Sequence, residues 1–303
     1  MDTPIRMGLV GAGPWATIFT APLLAAGPDL QLEAVWARRA DVATELAARH
    51  GATAAASIEE LIERCDAVAF AVPPNIQAEV AAQVAAAGRP VLLDKPIGMT
   101  VPQADQLAGV IAKAGVISQV VLTNRYLPAM RQFLTESAGF VAHGGSATFL
   151  GGGAMEGHFF GTPWRLEQGG LIDLGPHVLD ALDAALGTII DVSAVGDPFG
   201  TVVLNCRHAS GVVSSAVMSG TTPVEPSGLR IELYGRGGRL SLDTAWDDQA
   251  EAGRQFGAAM ARIASEFAHA VRTGEPHPLD AQRGLYLQRL IQMATDSLAA
   301  AGN

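Results

Sequence analysis

Short apolar runs alternate with helical patterns along the N-terminal part of the chain. The apolar runs, which predict strands, are Ile5–Val10, Leu32–Trp36, Ala67–Val72, Val91–Leu93 and Val116–Leu122. Helical spacing covers residues 14–26, 41–50, 57–64, 75–87 and 102–114, with a Ser57/Glu60 capping box and an Asn75 N-cap. Strands that are apolar on both faces and alternate with helices predict a parallel sheet covered on both sides. We therefore expect a doubly wound α/β domain over residues 1–122.

The pattern changes after residue 122, where strand-like segments follow one another. These strands are predicted at 146–150, 189–195, 201–206, 212–219, 229–234 and 239–242, with flanking helices at 171–186, 258–272 and 280–300. Strand following strand predicts an antiparallel or mixed sheet, so we expect a second domain over residues 123–303. Three glycines at 151–153 begin a glycine-flanked stretch, up to Gly170, with the character of a loop over a site.

The composition is that of a folded protein without a nucleic-acid-binding surface. The chain has 303 residues, of which 49% are hydrophobic and 17% charged, and its formal net charge is -10. Cys65 and Cys206 form no Cys-x-x-Cys pair, and two cysteines are too few for a disulfide framework. The uncharged run 7–28 is interrupted by glycines and prolines, which is unlike a signal peptide or membrane helix. We expect a cytoplasmic protein that does not bind membranes.

A glycine-rich turn follows the first predicted strand and has the spacing of a dinucleotide fingerprint. Gly11 permits a tight turn, Gly13 lets the backbone approach a pyrophosphate, and Ala16 keeps helix and strand close. Pro14 is tolerated in the first helical turn, and Trp15 lies between it and Ala16. The helix N-terminus would offer free N–H groups to the phosphates, so these five residues are candidate cofactor-binding residues.

The end of the second strand favours NADP(H) over NAD(H). An NAD site normally has a carboxylate there to bind the ribose 2′-hydroxyl. This chain has Ala37-Arg38-Arg39 and no carboxylate before Asp41. Arginines after a small residue can accept a 2′-phosphate, and we expect Arg38 to be the main clamp. If both arginines are solvated loop residues and Asp41 is a helix cap, NAD(H) remains open.

Lys95 lies in the sequence Asp94-Lys95-Pro96, directly after the strand at Val91–Leu93. The carboxyl edge of a parallel sheet is where ligands bind in such folds. Of the 20 basic residues, only Lys95 and Lys113 are lysines, so surface charge in this chain is normally supplied by arginine. A compact ammonium can donate to a substrate hydroxyl, which favours a functional role for Lys95.

The segment 169–180 reads Gly-Gly-Leu-Ile-Asp-Leu-Gly-Pro-His-Val-Leu-Asp and carries a candidate proton carrier. Asp173 and His177 are four residues apart and share one face if the segment is helical. Because Pro176 suits a first helical turn, we expect Asp173 just before the helix proper. A helix cap with a core histidine is the plainer interpretation. A metal site with Asp180 is disfavoured because it lacks a second histidine, and we predict no metal.

Together these motifs resemble the Gfo/Idh/MocA oxidoreductases, a family that includes glucose–fructose oxidoreductase, inositol dehydrogenase and dihydrodiol dehydrogenase. The segments that carry the resemblance are Gly11–Ala16, Asp94-Lys95-Pro96 and 169–180, with looser matches at 72–75 and 124–128. The resemblance implies an N-terminal Rossmann domain and a C-terminal α+β domain with a large, mostly antiparallel open sheet. That sheet implies a homodimer or homotetramer.

The resemblance also implies roles for particular residues. Lys95, Asp173 and His177 match the catalytic group of the family by motif position. The cofactor side would include Pro73, Asn75, Lys95 and Pro96, and Trp164-Arg165 loosely matches a segment beside the nicotinamide. Two departures are Asp94, where glutamate is usual, and Gln77, where many relatives have histidine; we expect the latter to leave catalysis intact.

The combined prediction is an NAD(P)-dependent dehydrogenase or reductase that prefers NADP(H). Its substrate would be a small polyhydroxylated molecule: a sugar, polyol, inositol or dihydrodiol. Two alternatives of the same fold remain open. One is an NAD-dependent glycoside hydrolase that works by transient oxidation, and the other is a dinucleotide-binding regulator that has lost catalysis.

Overall fold

The N-terminal sheet has the arrangement that the alternating pattern predicts. The computed structural model describes residues 3–301, the last of them by its backbone alone. Its strands are β1 Ile5–Val10, β2 Leu30–Trp36, β3 Thr53–Ala54, β4 Ala67–Phe70, β5 Val91–Asp94 and β6 Ser118–Val121. They lie in the order β3-β2-β1-β4-β5-β6, and all of these pairs are parallel. The order reverses between β1 and β4, so ligands are expected at the carboxyl ends beside that switch point.

Helices connect these strands: a π-helical segment Ala16–Thr20 continues into α1 Ala21–Ala25, followed by α2 Ala40–Arg49, α3 Ile58–Arg64, α4 Pro74–Ala86 and α5 Val101–Ala114. Ser57 Oγ accepts from the backbone N–H of Glu60 at 3.2 Å, which confirms the predicted cap of α3. The predicted Asn75 cap of α4 is wrong, because Pro73 is the N-cap and Pro74 the first helical residue. Proline suits that position because its missing N–H would have no partner there.

The second sheet is mixed and mostly antiparallel, as predicted. Its strands are β7 Ala142–Leu150, β8 Ile189–Gly196, β9 Val202–His208, β10 Val213–Ser219, β11 Gly228–Gly235 and β12 Gly238–Asp243. They lie in the order β12-β11-β7-β10-β9-β8. Within the described chain, β7 and β10 pair in parallel and the other neighbours are antiparallel. One face packs on helices, since residues such as Leu204, Met218 and Ile231 are buried.

The remaining helices are α6 Thr123–Tyr126, α7 Pro128–Ser137, α8 Pro163–Leu186, α9 Gln249–Thr273 and α10 Ala281–Ala301. The sequence pattern predicted neither α6 nor α7, nor the short strand β3. The N-terminus of α7 is completed by a distant residue, because the backbone N–H of Ala129 donates to Gln255 Oε1 at 3.1 Å. A contact between positions 126 residues apart leaves no local pattern in the sequence.

The chain forms two compact units. One contains the described residues up to Val121 together with Met260–Tyr286, and the other contains Leu122–Ala259 and the segment from Leu287 onward. The chain leaves the first unit after Val121 and returns to it at Met260. The segment Met260–Tyr286 belongs to the first unit because it forms hydrogen bonds with the edge strand β6. The backbone N–H of Val120 donates to Leu279 O at 2.6 Å, and that of Ala281 donates to Ser118 Oγ at 3.0 Å.

Within residues 3–301, no helix is both long and apolar enough to cross a membrane.

Candidate functional site

The turn after β1 is shaped by Gly11. Its φ is +119°, and a Cβ at this position would lie 2.3 Å from the carbonyl oxygen of Ala71. The backbone N–H of Gly11 donates to Trp36 O at 2.8 Å, which fixes the turn against β2. Any other residue would therefore clash with the neighbouring strand and adopt an unfavourable backbone conformation. The prediction that Gly11 permits a tight turn is confirmed in the fold.

Gly13 differs from Gly11, because nothing in the protein itself requires a glycine there. A Cβ at position 13 would meet no atom within 4 Å among the described residues. The chain is helical from Pro14 onward, and Ala16 is fully buried beneath that helix. Trp15 stacks on Phe19, with ring centroids 4.4 Å apart. The open space beside Gly13, at the start of a helix, fits a bound phosphate group, which the glycine would let approach the backbone.

The two arginines after β2 differ in their contacts. Arg39 is the N-cap of α2 and pairs with Asp41 at 3.3 Å, and both of these side chains are more than 70% exposed. Arg38 is also exposed, and within residues 3–300 it forms no hydrogen bond or ion pair. Arg39 also draws the pKa of the Asp41 carboxyl below its ordinary value, through their hydrogen bond. Of the two guanidiniums, Arg38 is therefore the one available to an anionic ligand.

The segment after β4 contributes Pro73 and Asn75 to the same edge of the sheet. Pro73 is half-buried ahead of α4, and Asn75 is exposed in its first turn. Since Asn75 does not cap the helix, its amide is not committed to that role. The next polar side chain on this helix, Gln77, is buried and contacts the backbone on both sides of Lys95.

Lys95 and Pro96 follow β5 at its carboxyl end, as predicted, and the bond between them is cis. The backbone N–H of Lys95 donates to Asp94 Oδ1 at 2.8 Å. The short side chain of Asp94 thus folds back onto the next peptide, so this acidic residue stabilises the turn that carries the lysine.

Asp173 and His177 both lie within α8, one helical turn apart, and each is 9% exposed. The expectation that Asp173 precedes the helix is wrong. The helical axis is broken at Gly169, with φ 74° and ψ -174°, and helical backbone resumes ahead of Asp173. Pro176 is accommodated inside the helix, where its ring costs one backbone hydrogen bond. The predicted shared face of Asp173 and His177 is thereby confirmed.

Arg165 contacts Asp173 across the break in α8. Its Nε lies 3.1 Å from Asp173 Oδ2, and both side chains are 12% exposed. The same guanidinium lies over the Trp164 ring, 4.5 Å from its centroid, and reaches Thr162 Oγ1 at 3.3 Å. Sequence reasoning missed this contact because the two residues lie on either side of Gly169. The ion pair fixes the Asp173 carboxylate, so Arg165 supports the candidate catalytic face.

Asp180 has a different partner from Asp173. Its carboxylate oxygens each lie 3.1 Å from Arg125 Nη1, and Asp180 is 1% exposed. A buried carboxylate needs such a partner, because an uncompensated charge in the interior is strongly destabilising. Within residues 3–300, no group of three or more His, Cys, Asp or Glu side chains is arranged to hold a metal ion.

Comparison with known proteins places these features in a family. The model of the oxidoreductase family with an NAD-binding Rossmann fold, Gfo/Idh/MocA, matches residues 5–122. The rhizopine catabolism protein MocA of Rhizobium meliloti is 25% identical over 98% of this chain and 96% of its own length. The chain matches the Gfo/Idh/MocA family over residues 5–122, its N-terminal domain. It is therefore a dehydrogenase or reductase with an NAD(P)-binding Rossmann fold.

Two further proteins that are similar to this chain carry different dinucleotides in their descriptions. Scyllo-inositol 2-dehydrogenase (NADP(+)) IolU of Bacillus subtilis is 25% identical over 79% of this chain and 76% of its own length. The crystal structure of GenD2 from gentamicin A biosynthesis, in complex with NAD, superimposes with a TM-score of 0.88. GenD2 is 23% identical, with 100% of this chain and 96% of that chain covered. These similarities leave both NAD and NADP open for this protein.

Proposed function

We propose that this protein is an NADP(H)-preferring dehydrogenase or reductase of a small polyhydroxylated substrate. The substrate class is a sugar, polyol, inositol or dihydrodiol. Family members named for inositol oxidation, together with the buried Asp173–His177 pair, support this class. The observation that carries the cofactor preference is the unpaired state of Arg38 among the described residues, beside an Arg39 that Asp41 already holds.

The proposed chemistry assigns one task to each of three side chains. When bound, the nicotinamide supplies the hydride acceptor or donor. His177 in its neutral form takes the proton of the substrate hydroxyl during oxidation and returns it during reduction. The Lys95 ammonium donates to the same oxygen and stabilises the negative charge that develops there. Asp173, held by Arg165 at 3.1 Å, orients His177 or a neighbouring hydroxyl.

The cofactor side of the proposed site consists of the glycine turn and its neighbours. Gly11, Gly13, Pro14, Trp15 and Ala16 would cradle the pyrophosphate at the start of the helix. The other proposed contacts to the dinucleotide come from Arg38, Arg39, Pro73, Asn75, Lys95 and Pro96. Trp164 and Arg165 would border the nicotinamide, with Arg165 acting through its ion pair to Asp173.

Titration with NADPH and NADH, followed by nicotinamide fluorescence, tests the cofactor preference. We expect tighter binding of NADPH, and a loss of about 10–100-fold in NADPH affinity for Arg38→Ala, the range for a charge-assisted hydrogen bond. Binding of NADH should change little in this variant. Arg39→Ala is the matched comparison, and its smaller expected effect follows from the Asp41 pair.

Equal or tighter binding of NADH to the wild type would contradict the NADP(H) preference. A protein that releases product from a glycoside without added cofactor would instead be the hydrolase of this fold. Binding of a dinucleotide without turnover of any polyhydroxylated substrate would favour the regulator.

The open face of the second sheet supports a proposed homodimer or homotetramer. Apolar side chains lie on that face, with Val195 52%, Val213 58% and Val217 37% exposed. Apolar residues that alternate with buried ones along a strand are suited to covering by a second copy. We propose the cytoplasm as the location, on the sequence criteria alone.

A further inference from the structure

Gln77 is a buried polar side chain with a complete set of partners around Lys95. It lies on α4 and is 1% exposed. Its Nε2 donates to the carbonyl oxygens of Asp94 at 2.7 Å and Pro96 at 3.2 Å. Its Oε1 accepts from the backbone N–H of Asp94 at 2.8 Å. One side chain thus bridges backbone groups of Asp94 and Pro96, the residues on either side of Lys95.

Only a primary amide of this length satisfies all three backbone groups. It offers two donors on one end and an acceptor on the other, which the two carbonyls and one N–H require. A glutamate would accept from Asp94 but would turn a carboxylate oxygen toward two carbonyl oxygens. A leucine would leave all three backbone groups without this partner, which loosens the turn because buried polar groups are costly to leave unsatisfied.

The rest of the Lys95 segment is also closely packed. A Cβ at Gly284, at the start of α10, would lie 2.6 Å from the side chain of Ile97. A Cβ at Gly98 would lie 2.9 Å from the backbone nitrogen of Ala104. Contacts from three helices therefore fix the segment that begins at Asp94. Among these contacts, those of Gln77 are the ones made to the backbone of the two residues next to Lys95.

We propose that Gln77 is a positioning residue for Lys95. It holds the backbone so that the ammonium is presented from the carboxyl edge of the sheet in one orientation. This inference rests on the proposed function for the catalytic use of Lys95, but the positioning itself does not. A displacement of about 1 Å in a catalytic group can reduce turnover by about 100-fold, so a loosened turn should be visible in the rate.

The scarcity of lysine makes a direct measurement possible. Lys95 and Lys113 are the only lysines in the chain, so protein containing lysine labelled with carbon-13 at Cε gives two side-chain signals. Lys95→Arg removes the Lys95 signal and so assigns both signals. We expect Gln77→Leu to shift or broaden the Lys95 signal and to leave the Lys113 signal in place. Gln83→Leu, at an exposed glutamine on the same helix, is the matched control and should move neither.

Turnover provides the second measurement. We expect Gln77→Leu to lower kcat by about 10–100-fold while the Kd for the dinucleotide is largely kept. Gln77→Glu retains the side-chain shape and the acceptor for Asp94. It is the replacement variant if Gln77→Leu does not fold, and we expect it also to disturb the Lys95 signal.

Two results would overturn the proposal: a folded Gln77 variant with an unchanged Lys95 signal, or one in which both lysine signals move equally. If the wild type oxidises no polyhydroxylated substrate, the proposed function is wrong and kcat values cannot be compared. The Lys95 signal then still decides whether Gln77 positions the lysine.

Discussion

Asp173 and His177 lie one helical turn apart on α8, and the ion pair with Arg165 holds the Asp173 carboxylate in place. A carboxylate paired with a guanidinium is a poor proton carrier. An imidazole has an ordinary pKa of about 6.5 and can take or give a proton around neutral pH. The division of tasks between the two residues in the proposed mechanism follows from this difference.

We expect His177→Ala to lower turnover by about 10²–10⁴-fold, the range for loss of a general acid–base group, with dinucleotide affinity largely kept. Steady-state kinetics and fluorescence titration measure the two quantities. His143→Ala, at an exposed histidine on β7, is the control for loss of an imidazole elsewhere and should leave both unchanged. Unchanged turnover in the His177 variant would remove this residue from the mechanism.

The residues of the candidate site were predictable to different degrees. Gly11 and Lys95 were found because a turn and a strand end constrain residue type locally. Gln77 and Arg165 were both noted in the sequence, but their contacts were missed because hydrogen bonds and ion pairs across a fold leave no spacing signal. A glutamine at a buried position of α4 was the one available hint, since a polar side chain in such a place needs partners.

At the scale of elements, α8 owes its form to Gly169. Its φ of 74° and ψ of -174° lie in a region that is essentially restricted to glycine. A Cβ there would also lie 2.2 Å from the carbonyl oxygen of Pro198. The break lets the segment with Arg165 turn toward Asp173. Sequence periodicity predicted only the part of this helix that follows Gly170, because the break interrupts the helical repeat.

We expect Gly169→Ala to destabilise the second unit by about 1–3 kcal/mol from the backbone conformation alone, plus the cost of the contact with Pro198. Gly187 at the other end of α8 provides the matched control. Its φ of 91° and ψ of 175° are similar, but a Cβ there meets nothing within 4 Å in the described chain. Urea unfolding of both variants should show the larger loss for Gly169→Ala. Equal losses would mean that Pro198 moves aside at no cost.

At the scale of the molecule, each compact unit contains one buried thiol. Cys65 is in the first unit and is 0% exposed, and Cys206 is in the second and is 3% exposed. Burial raises the pKa of Cys65 to about 12 and that of Cys206 to about 11. Since the thiolate is the reactive form, both cysteines should be inert in the folded protein near neutral pH.

We therefore expect a thiol reagent to modify neither cysteine in the native protein at pH 8 and both in denaturant. At intermediate urea concentrations, peptide mass spectrometry measures the labelling of each cysteine separately. The labelling of Cys65 then reports unfolding of the first unit, and that of Cys206 unfolding of the second. Cys65→Ser and Cys206→Ser assign the two sites. Modification of either cysteine in the native protein at the rate of the unfolded chain would contradict its burial.

The sequence by itself determined the two sheets, the order of most elements, and the family. These features depend on local information: apolar runs, periodicity, glycines at turns, and motifs with fixed spacing. The position of Lys95 after β5 also follows from nearby residues, whereas the sequence placed Asp173 ahead of α8 and the structure places it inside that helix.

Only the tertiary structure decided which side chains meet. It paired Arg165 with Asp173, Arg125 with Asp180, and Gln77 with the peptides around Lys95. It also returned Met260–Tyr286 to the first unit, where the segment hydrogen-bonds along β6. Such contacts join residues that are distant in the chain, and their energy depends on burial and geometry. Neither quantity is defined until the chain has folded, so the residue pattern along the chain does not specify which side chains form these pairs.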